Sequence, residues 1–259
     1  YSWLGKEAAT WQLTLEGVYN SVDAQSRLFT SENEGLLLEL GLDNGSSKVE
    51  ERRLESMLTF GRTVSDINLQ LSLGGEFSQL EQSGRSGLSR NFTRPKGFLS
   101  LSKPFGPETI FSAKLSRETG QLDFFDFISS VNLDQQNSAA GNPQLVPTQT
   151  WQLELKLEQG FAAHGNLLWR FWVENIDDII EYIPTSAGNE AVGNLDKAKR
   201  YGMQWLSTSY LDNLGWDGAQ LTVDVSFQRS VLDDPLTGLS RRINGDTISY
   251  IYLELRHDI

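Results

Sequence analysis

An all-β, antiparallel up-and-down fold is predicted by three features of this sequence. Several long runs alternate strictly between apolar and polar residues. The connections between them are short and long by turns. No run keeps apolar residues three and four apart beyond a turn or so, which an amphipathic helix requires.

In chain order, "WQLTLEGVYN" sets Trp11, Leu13, Leu15 and Tyr19 on one face of a strand. Weaker alternation follows over residues 36–42 and 54–61. "INLQLSLGGEF" separates Ile67, Leu69, Leu71, Leu73 and Phe77 from Asn68, Gln70, Ser72 and Glu76. Residues 97–103 and 111–117 read as strands. "TWQLELKLEQG" sets Trp151, Leu153, Leu155 and Leu157 against Gln152, Glu154, Lys156 and Glu158. Residues 167–175 and 203–211 come next, then "AQLTVDVSFQ" with Leu221, Val223, Val225 and Phe227 on one face, and finally residues 248–255. The total is about eleven strands. Tight connections are expected at 61–66, 103–109, 160–166 and 211–218, and long loops at 81–95, 118–149, 175–197 and 230–246. In a meander this order puts the tight turns at one end and the long loops at the other.

The 259 residues carry a net charge of -12 and no cysteine. The missing cysteines exclude a disulfide framework and thiolate metal sites. The acidic balance and scattered Lys and Arg argue against nucleic acid as a partner. No apolar run approaches the roughly 20 residues of a membrane-spanning helix. A tilted barrel strand needs only about 9–11 residues, apolar at alternate positions. Alternation alone leaves open a soluble sandwich or propeller. The length of the strands, their Gln/Asn/Ser/Asp/Glu-rich polar faces, and Trp11, Tyr19, Trp151, Trp169 and Trp205 near strand ends favour a membrane barrel wall with aromatic girdles. No basic and apolar leader is visible in "YSWLGKEAATW", so the chain is expected to be processed, cytosolic or internal to a longer protein.

The segment "AGNPQLVPTQTWQLELKLEQG" resembles the barrel of TonB-dependent outer-membrane receptors, through Gly141, Asn142, Pro143, Leu145 and Pro147. In "GNLDKAKRYGMQW", Asn194, Ala198 and Gly202 are similar to the family's Asn-x-x-x-Ala-x-x-x-Gly start of a strand. "DPLTGLSRRINGD" looks like its Thr-Gly-x-x-Arg loops, and "RNFTRPKGFLSLS" and "GQLDFFDF" are similar to segments of proteobacterial members. The resemblance implies one β-barrel segment over residues 1–259, roughly half of a 22-strand wall. The plug domain, the TonB-coupling segment and the remaining strands belong elsewhere in the receptor. It also implies a location in the bacterial outer membrane, with outer-membrane lipid, the plug, the TonB complex and a small-molecule ligand as partners. The implied function is import of a scarce nutrient of the siderophore, cobalamin or saccharide class. A porin-like passive channel and a soluble all-β ligand-binding protein are the alternatives.

No catalytic constellation stands out, and neither enzyme activity nor a cofactor is expected. His164 and His257 are far apart in sequence. The acid pairs Asp177/Asp178 and Asp233/Asp234 have the oxygen chemistry of a Ca²⁺ site but read more simply as solvated loop residues. In the longest loop, "GQLDFFDF" sets Phe124, Phe125 and Phe127 between acids that include Asp123 and Asp126. Aromatics at a mouth can stack on a ligand, so Asp123, Phe124, Phe125 and Phe127 are the expected ligand-binding residues. Packing of the loop on its neighbours is the competing expectation.

Overall fold

A computed structural model describes residues 2–4, 9–32, 35–41, 46–84, 87–127, 130–132, 137–140, 142–184 and 190–257. The strands are β1 (Ser2–Leu4), β2 (Thr10–Gln25), β3 (Leu28–Glu32), β4 (Leu36–Leu40), β5 (Ser46–Val64), β6 (Ile67–Gly84), β7 (Leu88–Pro104) and β8 (Thr109–Thr119). They continue with β9 (Ser130–Asn132), β10 (Asn137–Ala140), β11 (Gln149–Gly160), β12 (Gly165–Pro184), β13 (Glu190–Tyr210), β14 (Ala219–Asp233), β15 (Ser240–Arg241) and β16 (Ser249–His257). Among the described residues the only helices are single 3-10 turns, the first at Phe124–Phe127.

One antiparallel meander runs β2-β5-β6-β7-β8-β11-β12-β13 and continues through β14 to β16. The sheet does not close on itself among the described residues. The tight turns at residues 65–66, 105–108, 161–164 and 211–218 lie at one end. The first takes two residues, with Ser65 and Asp66 both at positive φ, the hairpin geometry that follows the twist of the flanking strands. The hairpin of β3 and β4 and the long connections occupy the other end.

The strands overrun two of the expected loops. Residues 81–84 and 88–95 continue β6 and β7, and residues 175–184 and 190–197 continue β12 and β13. Beyond the apolar belt apolar side chains such as Phe92, Ile176, Ile179, Ile180 and Val192 turn into buried clusters, so the hydrophobic alternation fades while the backbone ladder continues. In sequence, His257, Asp258 and Ile259 look like entry into another tight turn; His257 ends β16, and Asp258 and Ile259 lie outside the described residues.

Register lines up the apolar positions into continuous rows. One row reads Trp11, Phe60, Leu71, Leu99, Leu115, Leu153, Val173 and Tyr201, each opposite the next. The next row toward the tight turns reads Leu69, Leu101, Ala113, Leu155, Phe171, Met203 and Phe227. No second layer of the described chain covers this face: Leu153 is 45% exposed and Leu73 62%. Burying a large apolar side chain is worth about 1.5–3 kcal/mol, so a wide unpartnered field of them needs an apolar neighbour. Aromatics line both margins, with Trp169 stacked on Trp205 at 5.7 Å toward the tight turns and Tyr19 and Trp151 toward the loops.

The opposite face is polar and concave. Arg94 of β7 approaches Asp178 of β12 to 3.9 Å although β8 and β11 separate these strands. The buried cluster Val49, Leu80, Phe92, Phe127 and Leu145 gathers β5, β6, β7 and the loop after β8, with Ile180 and Val192 of β12 and β13 packed against it. The sheet therefore curls around this inner face. Lower down, Ile176, Ile179, Ala198, Leu232 and Ile243 form a second cluster beneath the loop that follows β14.

Candidate functional site

The longest loop folds into the concavity. Its aromatic turn forms because Asp123 Oδ1 accepts the Phe125 N–H at 2.9 Å and the Asp123 carbonyl accepts the Asp126 N–H at 3.1 Å. The turn divides the four expected residues between two roles. Phe127 is fully buried in the upper cluster, and Phe124 packs edge-on to it at 6.4 Å. Phe125 is 67% exposed, and Asp123 is exposed beside it. Burial pushes the Asp126 carboxyl above its ordinary range, with the Asp123 charge adding to the effect.

Asp123, Phe124 and Phe125 line one side of a cavity of about 430 Å³, and Asn20 of β2 and Glu51 of β5 line the other. Asn20 Nδ2 donates to Glu51 Oε2 at 3.0 Å, fixing that carboxylate. Gln121 completes the polar lining. The volume lies within the range of small-molecule sites, and the lining combines an aromatic ring with oxygen acceptors. Such a surface accepts hydrogen bonds from hydroxyl or ammonium groups and stacks on a flat or sugar-like face. Asn20 and Glu51 have no local signature in the sequence; the register between β2 and β5 brings them to the loop.

The loop is held by residues spaced for the purpose. Asn194, Ala198 and Gly202 are four apart, so all three face inward from β13. Asn194 Oδ1 accepts the Val146 N–H at 2.9 Å, and its Nδ2 donates to the Val146 carbonyl at 2.9 Å and the Asp178 carbonyl at 2.7 Å. Asp178 sits at φ 56°, and its carbonyl also accepts the Thr148 hydroxyl at 3.2 Å. Asn142 Nδ2 donates to the Val192 carbonyl, Asn142 Oδ1 accepts the Gln144 N–H, and Leu145 is fully buried. Ala198 leaves room for the lower cluster. Gly202 leaves room for the Trp172 ring: a Cβ there would come within 2.4 Å of that ring and 2.6 Å of the Phe227 carbonyl oxygen. Gly202→Ala is expected to cost about 1–3 kcal/mol through overpacking, read as a shift of the denaturant midpoint.

Ion pairs fix the rest of the inner face. Lys96 lies 2.6 Å from Glu55 and 3.6 Å from Glu76, the second close enough for charge attraction but too long for a hydrogen bond. Arg200 joins Glu174 to Asp246, and Arg241 joins Glu181 to Asp234. Burial of Asp246 works to raise its pKa, but hydrogen bonds from Arg200 and Ser230 prevail and hold it low. Asp234 accepts the backbone N–H and hydroxyl of Thr237 and the Nε of Arg241, and Gly238 turns the chain at φ 68°. The Thr237 backbone bond, followed by Arg241, lowers Asp234 to about 2. A depressed folded-state pKa stabilises the loop above the ordinary carboxylate value near 3.9, and this stabilisation is lost as pH falls toward about 2. Hydrogen exchange of residues 234–241 is therefore expected to accelerate across that window in native protein and to lose that pH dependence in Asp234→Asn. Among the described residues no three acidic or histidine side chains converge as metal ligands.

No protein-family model matches the sequence, and no curated protein matches it significantly. Solved structures do match. The copper transporter OprC superposes with a TM-score of 0.66 at 12% identity, over 88% of this chain and 37% of that one. The FrpB iron transporter from Neisseria meningitidis (F3-3 variant) gives 0.57 at 9% identity, over 88% and 33%. The alcaligin outer membrane receptor FauA from Bordetella pertussis gives 0.55 at 13% identity, over 95% and 43%. The fold is that of a TonB-dependent receptor barrel segment. The chain spans less than half the length of each of these three proteins, two of them transporters and one a receptor. Its ordered tight turns and its loop folded into the concavity thus belong to a sheet that, in those structures, is one part of a barrel.

Proposed function

We propose that this chain forms part of the wall of a TonB-dependent importer in the bacterial outer membrane, carrying a scarce nutrient of the siderophore, cobalamin or saccharide class. The observation that carries this reading is the uncovered apolar field, bounded by aromatics at both margins, with tight turns beyond one margin and long loops beyond the other. Lipid is the neighbour that satisfies such a field, and the polar concave face then lines the lumen. The remaining strands and a plug domain complete the receptor, and the TonB complex acts through that plug. The chain's own residues supply binding and positioning.

In this reading Asp123, Phe124 and Phe125 form the ligand surface with Asn20 and Glu51, and Phe127 anchors the turn. The test uses the intact receptor in detergent, titrated with a ferric catecholate, a ferric hydroxamate, cobalamin and maltohexaose. At least one probe is expected to bind, and Phe125→Ala to weaken that probe about tenfold, in line with one lost aromatic contact. Phe127→Ala is expected instead to destabilise the loop by about 3–5 kcal/mol. Unchanged affinity in Phe125→Ala would remove the aromatic turn from the binding surface.

A further inference from the structure

We propose that the outer face carries a binding site for one anionic, phosphate-bearing lipid, its acyl chain in the hollow at Gly97 and its phosphate on Arg117. The proposal rests on the membrane reading above. Across the sheet, Leu13, Leu58, Leu73, Gly97, Arg117 and Trp151 lie opposite one another in turn. Gly97 leaves a gap in this otherwise bulky row. The next row toward the loops reads Leu15, Ser56, Gly75 and Pro95, so the gap is not filled from above. A side chain at Gly97 is excluded by the ladder itself, because a Cβ would come within 2.4 Å of the Ser72 carbonyl oxygen. The result is a hollow of about 260 Å³ walled by Leu71, Leu73, Leu99, Leu115 and Trp151. Its size and apolar walls suit a length of hydrocarbon rather than a whole polar ligand.

Arg117 borders this hollow. It lies near the loop end of β8, at the aromatic margin where lipid headgroups begin. Its guanidinium donates to Gln149 Oε1 at 2.6 Å and lies 5.4 Å from the Trp151 ring centre. Its Nε is buried, and no carboxylate among the described residues pairs with the guanidinium. A fixed guanidinium with no carboxylate beside it, at the headgroup margin, matches a phosphate by charge. The hollow alone would take any acyl chain; the cation selects an anionic headgroup.

The intact receptor, placed in nanodiscs of equal parts dioleoyl phosphatidic acid and dioleoyl phosphatidylcholine, is analysed by native mass spectrometry for retained lipid. Phosphatidic acid is expected to be enriched about fivefold, the effect of one interfacial cation. Arg117→Gln is expected to abolish the enrichment. Leu73→Trp, which fills the hollow from its exposed side, is expected to reduce retained lipid with Arg117 intact. Equal enrichment in native protein and Arg117→Gln overturns the proposal, as does displacement of phosphatidic acid by millimolar inorganic phosphate, which would mark a bare anion site. A receptor that stays dispersed in buffer without detergent or lipid would instead overturn the membrane reading beneath it.

Discussion

Leu153→Arg is expected to destabilise the intact receptor in lipid by about 2–4 kcal/mol, because it sets a guanidinium near mid-depth of the apolar field. Leu153 lies between Leu115 and Val173, and the rows on either side run through Leu155 and Trp151. The cation has no carboxylate in that row to pair with, and Arg117, opposite Trp151 in the adjacent row, repels it. Gln152→Arg, one residue away on the same strand, is the matched control. Gln152 faces inward, where its amide donates to Glu174 at 2.8 Å, so a cation there stays beside a carboxylate and in water. It is expected to change stability by no more than about 0.5 kcal/mol. Both variants are refolded into vesicles and titrated with denaturant, with resistance to heat on gels as a second readout. Equal penalties on the two faces would mean that the apolar field does not meet lipid, and the transport reading would go with it.

Asn194→Ala has the second large effect. The side chain makes three hydrogen bonds that pin the segment after Asn142 to β13 and to the turned-out carbonyl of Asp178. Alanine leaves the Val146 N–H and carbonyl without these partners, at about 1–3 kcal/mol for each buried group left unsatisfied. The loss is local, so it is expected as exchange of the Val146 amide accelerated by at least about thirtyfold, the equivalent of roughly 2 kcal/mol, with the core of β11 and β12 still protected. Asn194→Asp separates the contributions. A carboxylate still accepts the Val146 N–H but repels the two carbonyls that the amide nitrogen had bonded, so the segment is expected to loosen although one bond survives. If the Ala variant exchanges like native protein, Asn194 does not hold the loop. The binding surface of Phe125 would then have to be positioned by the buried packing of Leu145 and Phe127 alone.

These experiments bear on the two faces of one sheet, and the two faces differ in how they can be read. Leu153, Leu155 and Leu157 declare themselves by alternation, because each outward position meets the same neighbour and must be apolar. Inward positions have no such rule. Asn194, Ala198 and Gly202 share a face by their spacing, yet one clamps a loop, one clears space for a cluster and one admits a tryptophan ring. Those roles depend on what the curl of the sheet brings opposite them. Outside the apolar field the alternation stops, which is why residues 81–95 and 175–197 read as loops while most of them extend the strands.

The order of strands, their antiparallel pairing and the placing of tight turns at one end followed from the sequence by itself, since period-two patterning and turn length are local properties of the chain. The aromatic turn at Phe124–Phe127 was also visible there, as a composition. Only the tertiary structure divided that turn into a buried anchor and an exposed ring, set Asn20 and Glu51 across from it, and left Arg117 beside a hollow. Each of those facts joins residues far apart in the chain, and contacts of that kind exist only once the ladder has fixed its register and the sheet has curved.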